Sequence, residues 1–338
     1  MVYDPTARRI VMYGGLPEGA VCPHGLSADA RREWTATWLF DGQHWAQTDP
    51  TGPALPPPFE TQMVYDPAMG SAVLVGLVGT GTNQITPHTW VYRDDRWTPL
   101  SIETPASSVW QTMTYDPTLG HVVLFDQNDA AWIFDGTHWQ SSKSLSLPDG
   151  ALQDLVALAF DPVSRRLIAV GSQFVDGARG SVLRFVMWTS DGRHWQETAT
   201  HKSPPSLGTG GVMTIAEMVQ APKNRGLLLL GVRPQVSEHA AARARSLGIL
   251  GETAGPDAFS TWLYNGSDWR QIQAPSPSPR TGESITYDAR TSQVVLFGGK
   301  PYPPTGVGGY NDVWAFDGEG WTQVAANHAA QTNDRRCA

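Results

Sequence analysis

Short apolar runs recur along the chain, each bounded by turn residues. Ile10-Val11-Met12-Tyr13, Ala72-Val73-Leu74-Val75, Val122-Val123-Leu124-Phe125, Leu227-Leu228-Leu229-Leu230 and Val294-Val295-Leu296-Phe297 are such runs. Their length and the turn residues around them predict buried strands. Upstream of these runs lies an apolar segment that ends in Tyr-Asp-Pro or a near variant. The copies are Val2-Tyr3-Asp4-Pro5, Val64-Tyr65-Asp66-Pro67, Thr114-Tyr115-Asp116-Pro117, Ala159-Phe160-Asp161-Pro162 and Thr286-Tyr287-Asp288-Ala289. Segment and run together predict a hairpin. One further copy, Val219-Gln220-Ala221-Pro222, is degenerate but keeps its Pro.

A second hairpin follows each of these, marked by two tryptophans seven residues apart. The pairs are Trp38/Trp45, Trp90/Trp97, Trp132/Trp139, Trp188/Trp195, Trp262/Trp269 and Trp314/Trp321, using twelve of the fourteen tryptophans. Between the partners sit Asp41-Gly42, Asp135-Gly136, Asp191-Gly192, Asn265-Gly266 and Asp317-Gly318. Such dipeptides supply the positive φ of tight hairpins. Two hairpins per repeat give four strands. Six repeats arranged radially bury their large faces against one another, which predicts an all-β, six-bladed propeller.

The repeated unit, an apolar-Tyr-Asp turn, a Val-Val-Leu-Phe-Gly-Gly strand, Asp-x-Trp-x-Phe-Asp-Gly and Trp-Thr-Gln, resembles the kelch repeat. It is fullest at Pro279-Arg280-Thr281-Gly282-Glu283, Val294 to Gly299, Asn311 to Gly318 and Trp321-Thr322-Gln323. The Gly-Gly doublet survives only at Gly14/Gly15 and Gly298/Gly299. The Trp-Asp signature of a WD-type ring is missing, and Gly-His occurs once, at Gly120-His121, without repeating. Blades are expected at about 1–50, 51–101, 102–143, 144–200, 201–275 and 276–327, followed by a tail at 328–338.

Composition agrees with this reading. Only 17% of the 338 residues are charged, while Gly (34) and Pro (26) are abundant, as expected of many short strands and turns. The formal net charge of -8 offers no attraction for a phosphate backbone, so no nucleic-acid partner is expected. No apolar run is long enough for a membrane span. The two cysteines, Cys22 and Cys337, lack zinc-ligand spacing. Either they pair, tying the first blade's long loop to the tail with an upper contribution of ~4 to 5 kcal/mol, or they are free thiols. An oxidised pair favours an extracytoplasmic home; otherwise the compartment is open.

Turns within the hairpins are short, and the length variation falls in the other connections, which emerge on one face. That loop-rich face is the expected functional face. Two of its loops, Ser27 to Trp34 and Ser237 to Leu247, read as partly helical. The tryptophans outside the repeat, Trp34 and Trp110, fall there, and Trp110 reads either as a stacking platform at the channel mouth or as a plug between blades. Polar residues interrupt the inner strands at Gln62, Gln111, Glu217, Arg280 and Glu283. Arg280 and Glu283 stand where the kelch pattern implies inter-blade hydrogen bonding. Glu217 stands in register with Gln62, Thr112, Ala157 and Ser284, and is the leading candidate for a ligand-facing acid.

His24, His88, His201 and His239 lie in long loops without close pairing, and Asp126 and Asp129 read as a polar turn, so no metal site is expected. Neither is a cofactor. The galactose oxidase and kelch superfamily includes copper radical oxidases, but no Tyr-His ligand pair exists here. Its iron-dependent specifier proteins use a Glu, Asp and His set that the loops lack. Two functions stay open. One is a monomeric binding or interaction module holding a carbohydrate, small molecule or protein on the loop-rich face. The other is a metal-independent enzyme of mutarotase, lyase or cyclase type, with Glu217 or Glu283 as acid or base and Arg233 or Arg280 as cationic partner.

Overall fold

Each repeat forms one four-stranded antiparallel sheet whose strands lie side by side in sequence order. The computed structural model describes residues 1–14, 35–48, 55, 61–79, 85–105, 112–126, 128–152, 154–177, 180–204, 216–232, 259–301 and 309–325. Within them are six such sheets. The first strands are β1 (Val2–Asp4), β5 (Thr61–Asp66), β9 (Thr112–Asp116), β13 (Asp154–Asp161), β17 (Ala216–Gln220) and β21 (Arg280–Asp288). Each adjoins the first strand of the next blade, and β21 adjoins β1, so the strands form a closed inner ring. The protein is a six-bladed β-propeller.

The second strand of each blade carries the apolar run and is buried on both faces, as Val11, Val73, Val75, Leu124, Ile168, Leu228 and Leu296 show with 1% exposure or less. Clusters of these side chains span each blade boundary. Burial of this kind is the dominant favourable term.

The turn aspartates cap their own hairpins. Asp66, Asp116, Asp161 and Asp288 are buried because their side chains accept turn N–H groups, for example from Ala68 (2.8 Å) and Thr118 (2.7 Å). Blade five lacks this aspartate. Its turn closes as a short 3-10 segment, Pro222–Asn224, with Ala221 N–H donating to the Gly226 carbonyl at 2.8 Å.

The second tryptophan of each pair reaches back to the preceding blade. Trp97 donates to Thr37 Oγ1, Trp139 to Thr89 Oγ1 and Trp321 to Thr261 Oγ1, all at 2.9 Å. The acceptor is always the residue before the first tryptophan of the preceding blade. In the remaining blades that residue is Ala131, Met187 or Val313, none of which can accept. Trp195 turns to the Leu145 carbonyl instead, while the indoles of Trp269 and Trp45 have no partner. Exposed ion pairs, Arg9–Asp95 and Arg225–Glu319, add ties between turns of neighbouring blades.

The ring closes without strand exchange. Blade six meets blade one through Ile10, Phe40, Val295 and Val313, with Trp45 against Phe297 at 4.8 Å between ring centroids. Packing therefore covers the seam for which a disulfide was considered. Cys22 and Cys337 lie outside the described residues. Asp126 and Asp129 form a turn, as expected: Asp126 accepts from Asn128 N–H (2.8 Å) and Ala130 N–H (3.1 Å). Among the described residues, no helix is long and apolar enough to cross a membrane.

Candidate functional site

The six inner strands enclose a central channel of about 920 Å³. Strands this close to the axis are sheet edges, and their unpaired backbone groups face the opening. Glu217 of β17 uses one of them: its Oε2 accepts the N–H of Ile285, on the inner strand of blade six, at 3.0 Å. The contact holds the carboxylate on the wall between blades five and six. Gln62, Thr112, Ala157 and Ser284, at the same register, line the same channel.

Burial pushes the Glu217 carboxyl up to about 7, against opposing pulls from the Met1 amino group and the Ile285 N–H. Glu283, one strand over, is 6% exposed, and its Oε2 has no partner. Burial first, and then the charge of Glu217, push it up to about 8, while Arg280 pulls weakly the other way. Two neighbouring carboxyls that resist ionisation at neutral pH make a proton-holding pair, able to donate or accept a hydrogen bond.

Arg280 is placed elsewhere. Its side chain has no exposure and engages Asp312 through two bonds (2.6 and 3.1 Å), the Gly298 carbonyl (2.8 Å) and the Ser278 carbonyl (3.0 Å). It also lies 4.1 Å from the Tyr310 ring centroid. All these partners belong to its own blade, so Arg280 braces blade six internally rather than bridging blades or facing the channel. Its guanidinium has no free edge for a ligand. Trp34, Trp110, Gln111 and Arg233 lie outside the described residues, as do the two expected helical loops. Of the sequence candidates, Glu217 and Gln62 line the channel, and Glu283 lies beside Glu217 but is not part of the channel lining.

Sequence reasoning passed over the other end of the channel. The residue before each turn aspartate also lines it: Tyr3, Tyr65, Tyr115, Phe160 and Tyr287, with Gln220 in blade five. All six are half-buried. The signal was present, since an aromatic precedes the turn in five repeats, but each copy reads alone as a turn marker.

Among the described residues, no group of three or more His, Cys, Asp or Glu side chains is placed to hold a metal ion. No protein-family model matches the chain, and no curated protein matches it. Solved structures similar to it include a GH74 xyloglucanase from Xanthomonas campestris (15% identity, TM-score 0.45, 85% of this chain and 42% of that one). Others are TolB from Acinetobacter baumannii (9%, 0.45, 93% and 66%) and AofleA from Arthrobotrys oligospora (10%, 0.47, 95% and 86%). The chain thus spans less than half of the xyloglucanase and 66% of TolB. The propeller assignment rests on the sheet topology itself.

Proposed function

We propose that this propeller is of the kelch kind and is a binding module that holds its ligand in the central channel, with Glu217 as a polar contact. The observation that carries the reading is the channel of about 920 Å³, whose wall sets one carboxylate among otherwise uncharged side chains. That volume lies at the upper end of what small-ligand sites enclose. The ligand is a small molecule or the end of a carbohydrate or protein partner. A ligand-observed NMR screen of small polar molecules against the full chain tests this, with Ser284→Trp as a channel-filling variant. Hits that bind the wild type and are lost in Ser284→Trp support the reading. Hits that bind both forms equally overturn it.

A second reading is favoured by the carboxyl pair. Acids held near neutral pKa values suit general acid–base work without a metal, as in a mutarotase, lyase or cyclase. Under that reading Glu217→Gln abolishes turnover while ligand binding persists, and the activity of the wild type follows a profile with limbs near about 7 and about 8.

A further inference from the structure

The channel is lined differently at its two ends. Glu217 lies toward the long connections; the opposite end is framed by the short turns, where Pro5, Pro67, Pro117, Ala289 and Asn224 reach the wall. Just inside those turns sit the five aromatic residues Tyr3, Tyr65, Tyr115, Phe160 and Tyr287, one from each of five blades. Of the other described tyrosines, Tyr13, Tyr92 and Tyr264 are buried at 8%, 2% and 2% exposure, and Tyr310 is half-buried with its ring against the Arg280 guanidinium. The collar rings are only half-buried. Leaving aromatic area open forgoes part of its burial free energy, and doing so at one ring position around a cavity marks a mouth that meets a ligand.

The rings are also fixed. Tyr65 Oη lies 3.2 Å from Thr6 Oγ1 in the preceding blade's turn. Burial, and then the preceding turn's carboxylate, Asp288 for Tyr3 and Asp66 for Tyr115, keep the phenols protonated. Each ring therefore leans on the neighbouring blade and presents a prepared surface, which lowers the cost of binding.

Blade five breaks the symmetry. Its collar position is Gln220, whose Nε2 donates to Asn224 Oδ1 at 2.8 Å. The bond leaves one amide carbonyl and one amide NH₂ on the wall with hydrogen-bonding capacity to spare. The degenerate repeat thus puts a directional polar pair into a ring otherwise made of aromatic faces.

Charge narrows the ligand class. Among the described residues lining the channel there is no Lys or Arg, and Glu217 is the only carboxylate. Phosphate, sulfate or carboxylate groups would find no cationic side chain there, only the Met1 amino group, whose charge burial disfavours and which already interacts with Glu217. Aromatic faces with amides and the hydroxyls of Thr112, Thr114 and Ser284 suit a neutral, hydroxyl-rich ligand with a C–H face.

We propose that the short-turn end of the channel is a binding mouth for a neutral saccharide, stacked on the aromatic collar and oriented by the Gln220–Asn224 amide pair. This rests on the channel-binding reading above and adds the ligand class and the end by which it enters.

The test is titration of the full chain with cellohexaose, xylohexaose and maltohexaose, followed by calorimetry and saturation-transfer NMR. The variants are Tyr115→Leu/Phe160→Leu, which keeps apolar volume but removes two ring faces, Gln220→Leu, and Ser284→Trp. Far-UV spectra and melting confirm that each folds. The expected result is binding of at least one probe, weakened about tenfold or more in the double collar variant and weakened in Gln220→Leu. Probe binding that is unchanged in the collar variants overturns the proposal, and the channel-binding reading survives if Ser284→Trp still abolishes that binding. Failure of all three probes overturns the saccharide assignment, whatever the small-molecule screen finds. Loss of both the probe binding and the Ser284→Trp effect overturns both readings.

Discussion

Trp97 in blade two donates its indole N–H to the hydroxyl of Thr37 in blade one at 2.9 Å, a bond between residues sixty positions apart in a fully buried setting. The same bond recurs wherever the preceding blade supplies a threonine and fails wherever it does not. One sequence position therefore decides whether this indole–hydroxyl bond forms at a blade boundary.

That relationship yields a stabilising substitution. Val313→Thr places a hydroxyl beside the unpartnered Trp45 indole, and Met187→Thr does the same for Trp269. A satisfied buried donor contributes about 0.5–1.5 kcal/mol, so Val313→Thr raises stability by that order in urea melts. The reverse change, Thr89→Val, strands the Trp139 donor and costs about 1–3 kcal/mol. Equal melts for Thr89→Val and wild type would show the bond to be worthless.

Arg165 occupies a left-handed conformation (φ 55°) and donates its N–H to the Asp161 carbonyl at 2.8 Å. Gly120 in blade three holds the same conformation (φ 71°) and makes the equivalent bond to Asp116. Arg165→Gly relieves the strain of a side chain in that region, and the expected gain is about 0.5–1 kcal/mol after the entropy of the glycine. Thermal melting of the variant checks it; a lowered midpoint contradicts it.

Gly226 behaves oppositely. At φ 104°, a Cβ there would fall 1.9 Å from the Tyr264 carbonyl oxygen, a backbone atom that cannot swing aside. Gly226→Ala therefore costs about 2–4 kcal/mol, through both the backbone conformation and the clash. Chemical denaturation reads the cost.

Glu283 sets a pH dependence. Its folded carboxyl titrates near about 8 against an ordinary 4.5. Between those values the unfolded chain has released the proton while the folded chain still holds it, so rising pH favours unfolding. Stability from this group is constant below about pH 4.5 and declines up to about pH 8. Glu283→Gln removes this group's share of the slope and leaves that of Glu217, raised to about 7. Melting midpoints at about pH 5 and about pH 8 should lie closer together in the variant than in the wild type.

The architecture was legible because the repeat signals itself: tryptophan pairs, Asp-Gly turns and apolar runs each recur often enough to survive the drift of blade five. Glu217 was legible as a charge at a register position where its four counterparts, Gln62, Thr112, Ala157 and Ser284, are uncharged. Arg280 was not, because its burial depends on Asp312, thirty-two residues away across a long connection. Nor was the collar, since Tyr3 and Tyr287 become neighbours only when the ring closes. Trp34, Trp110, Gln111 and Arg233 lie outside the described residues.

The two indoles without acceptors, Trp45 and Trp269, stand at the boundaries between blades six and one and between blades four and five. Every other boundary carries a tryptophan hydrogen bond. The circle is therefore fastened as two arcs, blades one to four and blades five and six. The smaller arc carries Glu217, Gln220 and Asn224 of the channel wall. A molecule gripped between those residues and the aromatic faces of the larger arc would span both boundaries that lack a tryptophan hydrogen bond.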